Sequence, residues 1–137
     1  MVQGSSIDSA IFSIYQINNP TYQVVALHRI TADWGETSVT WVSFARQYDP
    51  AVVGSFTTDH IGWHEVDVTA LVQAWVNGVP NFGIAMRQGM SVYNIYHSSE
   101  AAYPLLAALR PKLEIWYTTP LGVAGHVVIQ RPELAQD

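Results

Sequence analysis

Two histidines, His60 and His64, have a spacing that could bind a metal ion. Histidines four residues apart meet on one face of a helix and can share an ion there. The residues around this pair alternate in polarity as a strand does, and positions four apart on a strand are separated by about 13 Å. Zinc holds its nitrogen ligands at about 2 Å. We therefore predict surface or edge histidines and no metal site.

Other catalytic chemistry has little support. Glycoside cleavage requires a pair of carboxylates, and Asp33, Glu36 and Glu100 are acids that fall in predicted loops. A calcium site built from loop oxygens stays open as an alternative, whereas a catalytic acid is the least favoured interpretation. The chain has no nucleophile elbow, phosphate loop or dinucleotide fingerprint. We predict that the protein is not an enzyme, with no catalytic residue and no cofactor.

Aromatic side chains are better candidates for a binding surface, because sugar rings stack on flat aromatic faces while polar neighbours orient the hydroxyls. Aromatic residues make up 12% of the chain. Burial in the core is the alternative for each of them, since a β-sandwich of this composition must bury many aromatics. The candidate glycan platform consists of aromatics on predicted strands: Tyr15, Trp63, Tyr93, Tyr96 and Trp116.

The elements that would position these aromatics are mostly strands. The second predicted strand is apolar on both faces and should be central, and a loop is predicted around Tyr48, Asp49 and Pro50. The strands are predicted from alternating or continuous apolar patterns, over SAIFSIYQ, YQVVALHRI, AVVGSFTT, GWHEVDV, NFGIAMRQ, SVYNIYHS and KLEIWYTT.

One short helix interrupts the strands. It begins at Thr69, which with Asp67 close before it can offer a side-chain oxygen to the first free amides, and it ends at Gly78. A single amphipathic helix in a β-rich chain is expected to close one end of a sandwich. We predict an all-β fold, an antiparallel, jelly-roll-like β-sandwich capped by this helix.

Three strings identify a module type. They are WGETSVTW (34–41), WHEVDVTALVQAWVNG (63–78) and SSEAAYPLLAALRPKLEIWY (98–117). Together they resemble the DNRLRE family of extracellular β-sandwich modules, which includes alginate-binding carbohydrate-binding modules. The resemblance covers roughly residues 7 to 118. Members of that family usually begin with several further strands, so the resemblance implies a gap that another segment should fill.

The resemblance also implies structural roles for particular residues. It implies that Glu36 and Glu100 accept hydrogen bonds from loop amides or from Arg110. It also implies that Trp34, Trp41 and Trp75 are buried. The alginate-binding relatives meet uronate carboxylates with basic side chains, but this chain has only six lysines and arginines. A neutral glycan is therefore the more plausible sugar. The residues matching the family's structural motif are Trp34, Glu36, Trp41, Asp67, Thr69, Trp75, Glu100 and Arg110.

Charge and composition exclude several classes of partner. The net charge is −5 and Lys112 is the only lysine, whereas phosphate binding requires clustered basic residues. We predict no nucleic-acid partner, and no membrane span because no long apolar run occurs. The chain has no cysteine and no secretory signal after Met1. An extracellular surface or a virion is the expected location, with the chain a processed fragment, a recombinant product or a protein exported by cell lysis.

The tail is the part of the chain beyond the resemblance. We predict a domain over residues 1–118 and a tail over 119–137, whose apolar strand contains Val127, Val128 and Ile129. That strand either folds back onto its own sheet or is donated to a neighbouring copy by strand addition. Head-to-tail donation does not close on itself and builds a filament.

Two function classes follow. The sequence favours a non-catalytic structural subunit of a surface assembly, a virion decoration or fibre protein or an extracellular filament, whose partners are other copies or capsid and fibre proteins. The alternative is a carbohydrate-binding module from a larger secreted polysaccharide-active enzyme or adhesin, whose partner is a polysaccharide. The partner of residues 125–131 discriminates between the two classes. Pairing with another copy favours the assembly, and pairing within the chain's own sheet favours the binding module.

Overall fold

The computed structural model describes residues 3–18, 21–35, 37–89, 94–98, 106 and 108–130. The elements it defines are β1 (Ser6–Gln16), β2 (Val24–Ile30), α1 (Trp41–Phe44), β3 (Tyr48–Thr57), β4 (Gly62–Asp67), α2 (Thr69–Val76), β5 (Ile84–Gln88), β6 (Lys112–Thr118) and β7 (Ala124–Gln130).

The strands form two antiparallel sheets. One sheet has four strands in the order β4-β1-β6-β7, and the other has three in the order β3-β2-β5. β2 lies in the middle of its sheet, as its two apolar faces predict. The prediction of an all-β sandwich with a short helix is confirmed.

The core lies between the sheets because the strands alternate in polarity. On β1, Ala10 and Ile14 point inward, and on β2 the side chain of Leu27 is 0% exposed. The buried apolar cluster draws on both sheets and on α2: Ile7, Ala10, Ile14, Val25, Leu27, Phe56, Val66, Val68, Leu71, Val72 and Ile115. The helix therefore packs against the core.

The helix boundaries follow the predicted signals, with one correction at the start. Asp67 Oδ1 accepts hydrogen bonds from both the amide and the hydroxyl of Thr69, at 2.9 and 2.6 Å. The Thr69 hydroxyl oxygen in turn accepts from the amide of Ala10. Thr69 thus ties the helix to β1 and does not cap its free amides. At the other end, Gly78 has φ 110°, the left-handed conformation expected after a helix.

The predicted start of β3 is wrong. β3 begins at Tyr48, so the residues expected in a loop are already in the strand. Pro50 is tolerated there because β3 is an edge strand. The predicted strand SVYNIYHS is described only over residues 94–98, where Tyr96 makes a single bridge to Gln16 and no longer strand forms.

The tail contributes an edge strand to its own sheet. β7 pairs with β6 along its whole length, with Val127 opposite Ile115 and Ile129 opposite Leu113. The predicted boundary between residues 118 and 119 thus separates two hydrogen-bonded strands. Val127 packs against the core, whereas Val128 and Ile129 are 47% and 55% exposed. The fold-back alternative is the one that the structure shows, and strand donation has no support from it.

Gly54 of β3 faces Val66 of β4 closely. A Cβ atom at this position would lie 2.4 Å from Val66 Cγ1. We expect Gly54→Ala to lower the free energy of unfolding by about 1–3 kcal/mol, since the extra methyl must push the strands apart. Gly89→Ala is the matched control, because a Cβ there meets nothing within 4 Å. Urea unfolding measures both, and equal effects would contradict the packing argument.

Candidate functional site

The outer face of the four-stranded sheet carries aromatic and charged side chains from all four strands. On β6, alternation places Lys112, Glu114 and Trp116 on this face, away from the buried Ile115. The register places Trp63 beside Tyr15 and His126 beside Trp116. We define the aromatic face as Tyr15, Trp63, Lys112, Glu114, Trp116 and His126.

One end of the aromatic face is built around Trp63. The rings of Tyr15 and Trp63 meet edge to face at 5.4 Å between centroids, and the Lys112 ammonium lies 5.0 Å from the Trp63 ring centroid. Lys112 reaches Trp63 across Ser13 of the intervening strand, whose side chain is buried beneath them. These contacts hold the Trp63 ring in a defined orientation.

The other end is built around Trp116. Its indole stacks on the imidazole of His126, with centroids 4.8 Å apart and ring planes at 14°. His126 Nε2 lies 2.8 Å from Glu114 Oε2, so the carboxylate fixes the imidazole that supports the indole. Trp116 is 37% exposed. A supported, partly exposed indole is the arrangement on which a sugar ring can stack.

The register places Trp63 opposite Tyr15 and Trp116 opposite Ser9, so the two ends are six residues of β1 apart, about 20 Å. A chain of linked sugars can span this distance, with Glu114 between the two ends as a hydrogen-bond acceptor. Of the predicted platform residues, Tyr15, Trp63 and Trp116 lie on this face. Lys112, Glu114 and His126 were not among the predicted residues, although the alternation of β6 places the first two on the same face as Trp116.

The remaining platform candidates lie elsewhere. Tyr96 packs against the core and meets Phe56 edge to face at 6.1 Å. Its hydroxyl is buried and makes no hydrogen bond among the described residues, and burial raises the pKa of this phenol. Tyr96 therefore belongs to the core, the alternative that the sequence left open. Tyr93 lies outside the described residues.

The three motif tryptophans have different environments. Trp34 is 40% exposed, which corrects its expected burial, and its Nε1 donates to the Phe82 carbonyl at 2.7 Å. It lines an apolar groove together with Phe44 and Ile84. Trp75, on α2, packs against the core as predicted. Trp41 begins α1, and its side chain lies outside the described part.

Glu36 and Glu100, the predicted carboxylate partners of Arg110, both lie outside the described residues. Arg110 itself is buried, and its carbonyl accepts a hydrogen bond from Gln130 Nε2 at 2.8 Å. This contact ties β7 to the segment before β6.

Asp67 gives the fold a dependence on acid pH. The hydroxyl and amide of Thr69 lower the pKa of this carboxyl. A lowered folded-state pKa contributes stability above the unfolded pKa, and this contribution is lost as pH falls through the folded pKa. We expect the wild-type melting temperature to fall more than that of Asp67→Ala between pH 7 and pH 3. Differential scanning fluorimetry measures both melting temperatures, and an equal fall in the two proteins would contradict this prediction.

The two histidines considered for a metal meet, contrary to the prediction. The chain turns between β3 and β4, and β4 begins only at Gly62, whose φ is 129°. The extended spacing assumed for residues 60 to 64 is therefore wrong, and the ring centroids of His60 and His64 are 4.3 Å apart. Asp59 joins them, with its Oδ1 2.6 Å from His60 Nδ1.

These contacts affect the two histidines in opposite directions. Hydrogen bonding to Asp59, and then to the Trp63 carbonyl, raises the pKa of His60. Burial, and then the neighbouring His60, lowers the pKa of His64.

Among the described residues, no helix has the length and apolar character required to cross a membrane.

In comparison with known proteins, the sequence model of carbohydrate-binding module family 96 matches residues 1–111. The match ends immediately before β6. No curated protein and no solved structure matches the chain significantly.

Proposed function

The chain belongs to carbohydrate-binding module family 96, and from this premise we propose that it binds polysaccharide through the aromatic face, without catalysing a reaction. The observation that carries the proposal is the Trp116 indole, 37% exposed and stacked on His126. Trp63 and Tyr15 extend the same face. Stacking of sugar rings on these aromatics would supply affinity, while Lys112 and Glu114 would orient hydroxyl groups.

A neutral glycan fits the charges of this face better than an acidic one. Lys112 lies over the ring of Trp63, and His126 is engaged by the carboxylate of Glu114. The chain carries a net charge of −5, which opposes the approach of a polyanion. The resemblance to alginate-binding DNRLRE modules therefore extends to the fold in this proposal but not to the choice of sugar.

Modules of this kind act by holding a larger protein on its substrate, so we place this chain in an extracellular polysaccharide-active enzyme or adhesin. A filament or virion subunit is the weaker alternative. The strand that would join copies, with Val127, Val128 and Ile129, is already paired within its own sheet.

The test is a binding panel with the purified chain. Neutral β-glucans, mannans and xylans are compared with alginate and pectate by affinity electrophoresis, and hits are quantified by isothermal titration calorimetry. We expect retention by at least one neutral polysaccharide and none by the uronates. Retention by alginate alone would overturn the neutral-glycan assignment, and no retention by any member would overturn binding through this face.

A further inference from the structure

Asp59, His60 and His64 form a cluster where the chain crosses from one sheet to the other, between β3 and β4. We call these three residues the crossover cluster. One potential ligand atom from each lies within 4.8 Å of the others. The side chains of Asp59 and His60 are 53% and 54% exposed, whereas His64 is only 4% exposed. His64 therefore forms the buried side of the cluster, and Asp59 and His60 form its solvent-exposed side.

The hydrogen bonds of His64 determine which ring nitrogen is available. Nε2 lies 2.9 Å from Gln16 Oε1 and 3.1 Å from the His60 carbonyl. The Gln16 amide is oriented by its own Nε2, which donates to Asn94 Oδ1 at 3.2 Å. Since both partners of His64 Nε2 are acceptors, Nε2 carries the hydrogen. A neutral His64 therefore presents the lone pair of Nδ1, as metal-binding histidines do when the other nitrogen donates to an oxygen.

His60 has the same arrangement with one further feature. Its Nε2 lies 3.1 Å from the Trp63 carbonyl, so this nitrogen also carries a hydrogen. In a neutral ring, the lone pair of Nδ1 then faces Asp59 Oδ1 at 2.6 Å. A lone pair and a carboxylate oxygen repel each other at this distance unless a cation lies between them. At 2.6 Å that cation is a proton, and a metal ion can replace it once the two side chains move apart to the spacing of zinc ligands.

We propose that the crossover cluster binds a divalent transition-metal ion, with zinc as the occupant, through the Asp59 carboxylate and the Nδ1 atoms of His60 and His64. Two imidazoles and one carboxylate suit zinc, whereas calcium and magnesium take oxygen ligands. Ligand atoms around tetrahedral zinc are about 3.3 Å apart. Asp59 Oδ1 and His60 Nδ1, now 2.6 Å apart, must separate to reach this spacing, and both side chains are more than half exposed, which leaves them room to rotate.

Such an ion would tie the crossover between the sheets to β1 through the Gln16 contact. Because the ligands assemble only in the folded chain, zinc should raise the melting temperature in a concentration-dependent way. This inference is independent of carbohydrate binding, since none of the three residues belongs to the aromatic face.

The test uses tag-free, EDTA-treated protein at pH 7.5, because a polyhistidine tag would bind zinc itself. Calorimetry should show one zinc per chain, and Asp59→Asn and His60→Asn should each weaken binding by at least about tenfold. His126→Asn is the matched control, an exposed histidine that also contacts a carboxylate but lies on β7 at the opposite edge of the sheet. Its zinc affinity should equal that of the wild type.

His64 is buried, so its substitution could unfold the chain, and its role is read in the wild type instead. Long-range ¹H–¹⁵N spectra should show zinc-dependent shifts at Nδ1 of His60 and His64 while both Nε2 atoms stay protonated. No binding at about 1 mM zinc, or binding unchanged in Asp59→Asn and His60→Asn, would show that a proton alone bridges Asp59 and His60. Equal loss in His126→Asn would place the ion elsewhere. Either result overturns the proposal.

Discussion

Trp116→Ala is expected to weaken polysaccharide binding by about 30-fold, corresponding to ~2 kcal/mol, the loss typical of a tryptophan that dominates a binding surface. The indole is held by its stack on His126, whose ring is in turn fixed by Glu114. A sugar ring thus meets a surface that has already lost its rotational freedom, and alanine removes both the stacking area and this preorganisation.

Stability should hardly change in this variant, because Trp116 points away from the core. Tyr22→Ala is the matched control, since Tyr22 is an aromatic that is 67% exposed and precedes β2 of the other sheet. Calorimetric titration with the best polysaccharide of the panel gives both affinities, and melting temperatures confirm folding. Comparable losses in the two variants would show that exposed aromatics bind the glycan without regard to face.

Leu27→Ala is expected to lower the free energy of unfolding by about 2–5 kcal/mol. Leu27 is 0% exposed and lies on the central strand β2, so strands on both sides hold the backbone in place. The site cannot collapse around the smaller side chain, and the cost of the cavity adds to the lost burial.

Val24→Ala, on the same strand, is the comparison for this effect. Val24 is 54% exposed, and its truncation should cost less than about 1 kcal/mol, mainly through strand propensity. Urea unfolding of both variants measures the difference. A cost at Leu27 no larger than that at Val24 would mean that the core does not lie between these sheets.

The two binding surfaces differ in how their residues are distributed along the chain. The aromatic face draws its side chains from four strands, so it exists only when the four-stranded sheet is complete. The crossover cluster uses residues within one short stretch, 59 to 64, and depends on the turn before β4. Loss of the turn would therefore abolish zinc binding while leaving Trp116 and His126 stacked.

The strand pattern and the helix were determined by the sequence alone. Alternation in β1 and the two apolar faces of β2 reflect which side chains must leave water, and Gly78 permits a backbone conformation that other residues avoid. The positions of Tyr15, Trp63 and Trp116 on strands were predictable for the same reason. The start of β3 was not, because only its place at the edge of a sheet makes Pro50 tolerable.

Only the tertiary structure decided which aromatics share a face, where the tail pairs, and that Asp59, His60 and His64 meet. Tyr96 lies in the core and Trp116 at the surface, although both alternate with neighbours on predicted strands. Register and sheet order decide such questions, and they are set by contacts between residues far apart in the chain. The histidine pair shows the same limit at short range. An extended strand would place residues 60 and 64 about 13 Å apart. The turn at this point brings the rings of His60 and His64 into contact instead.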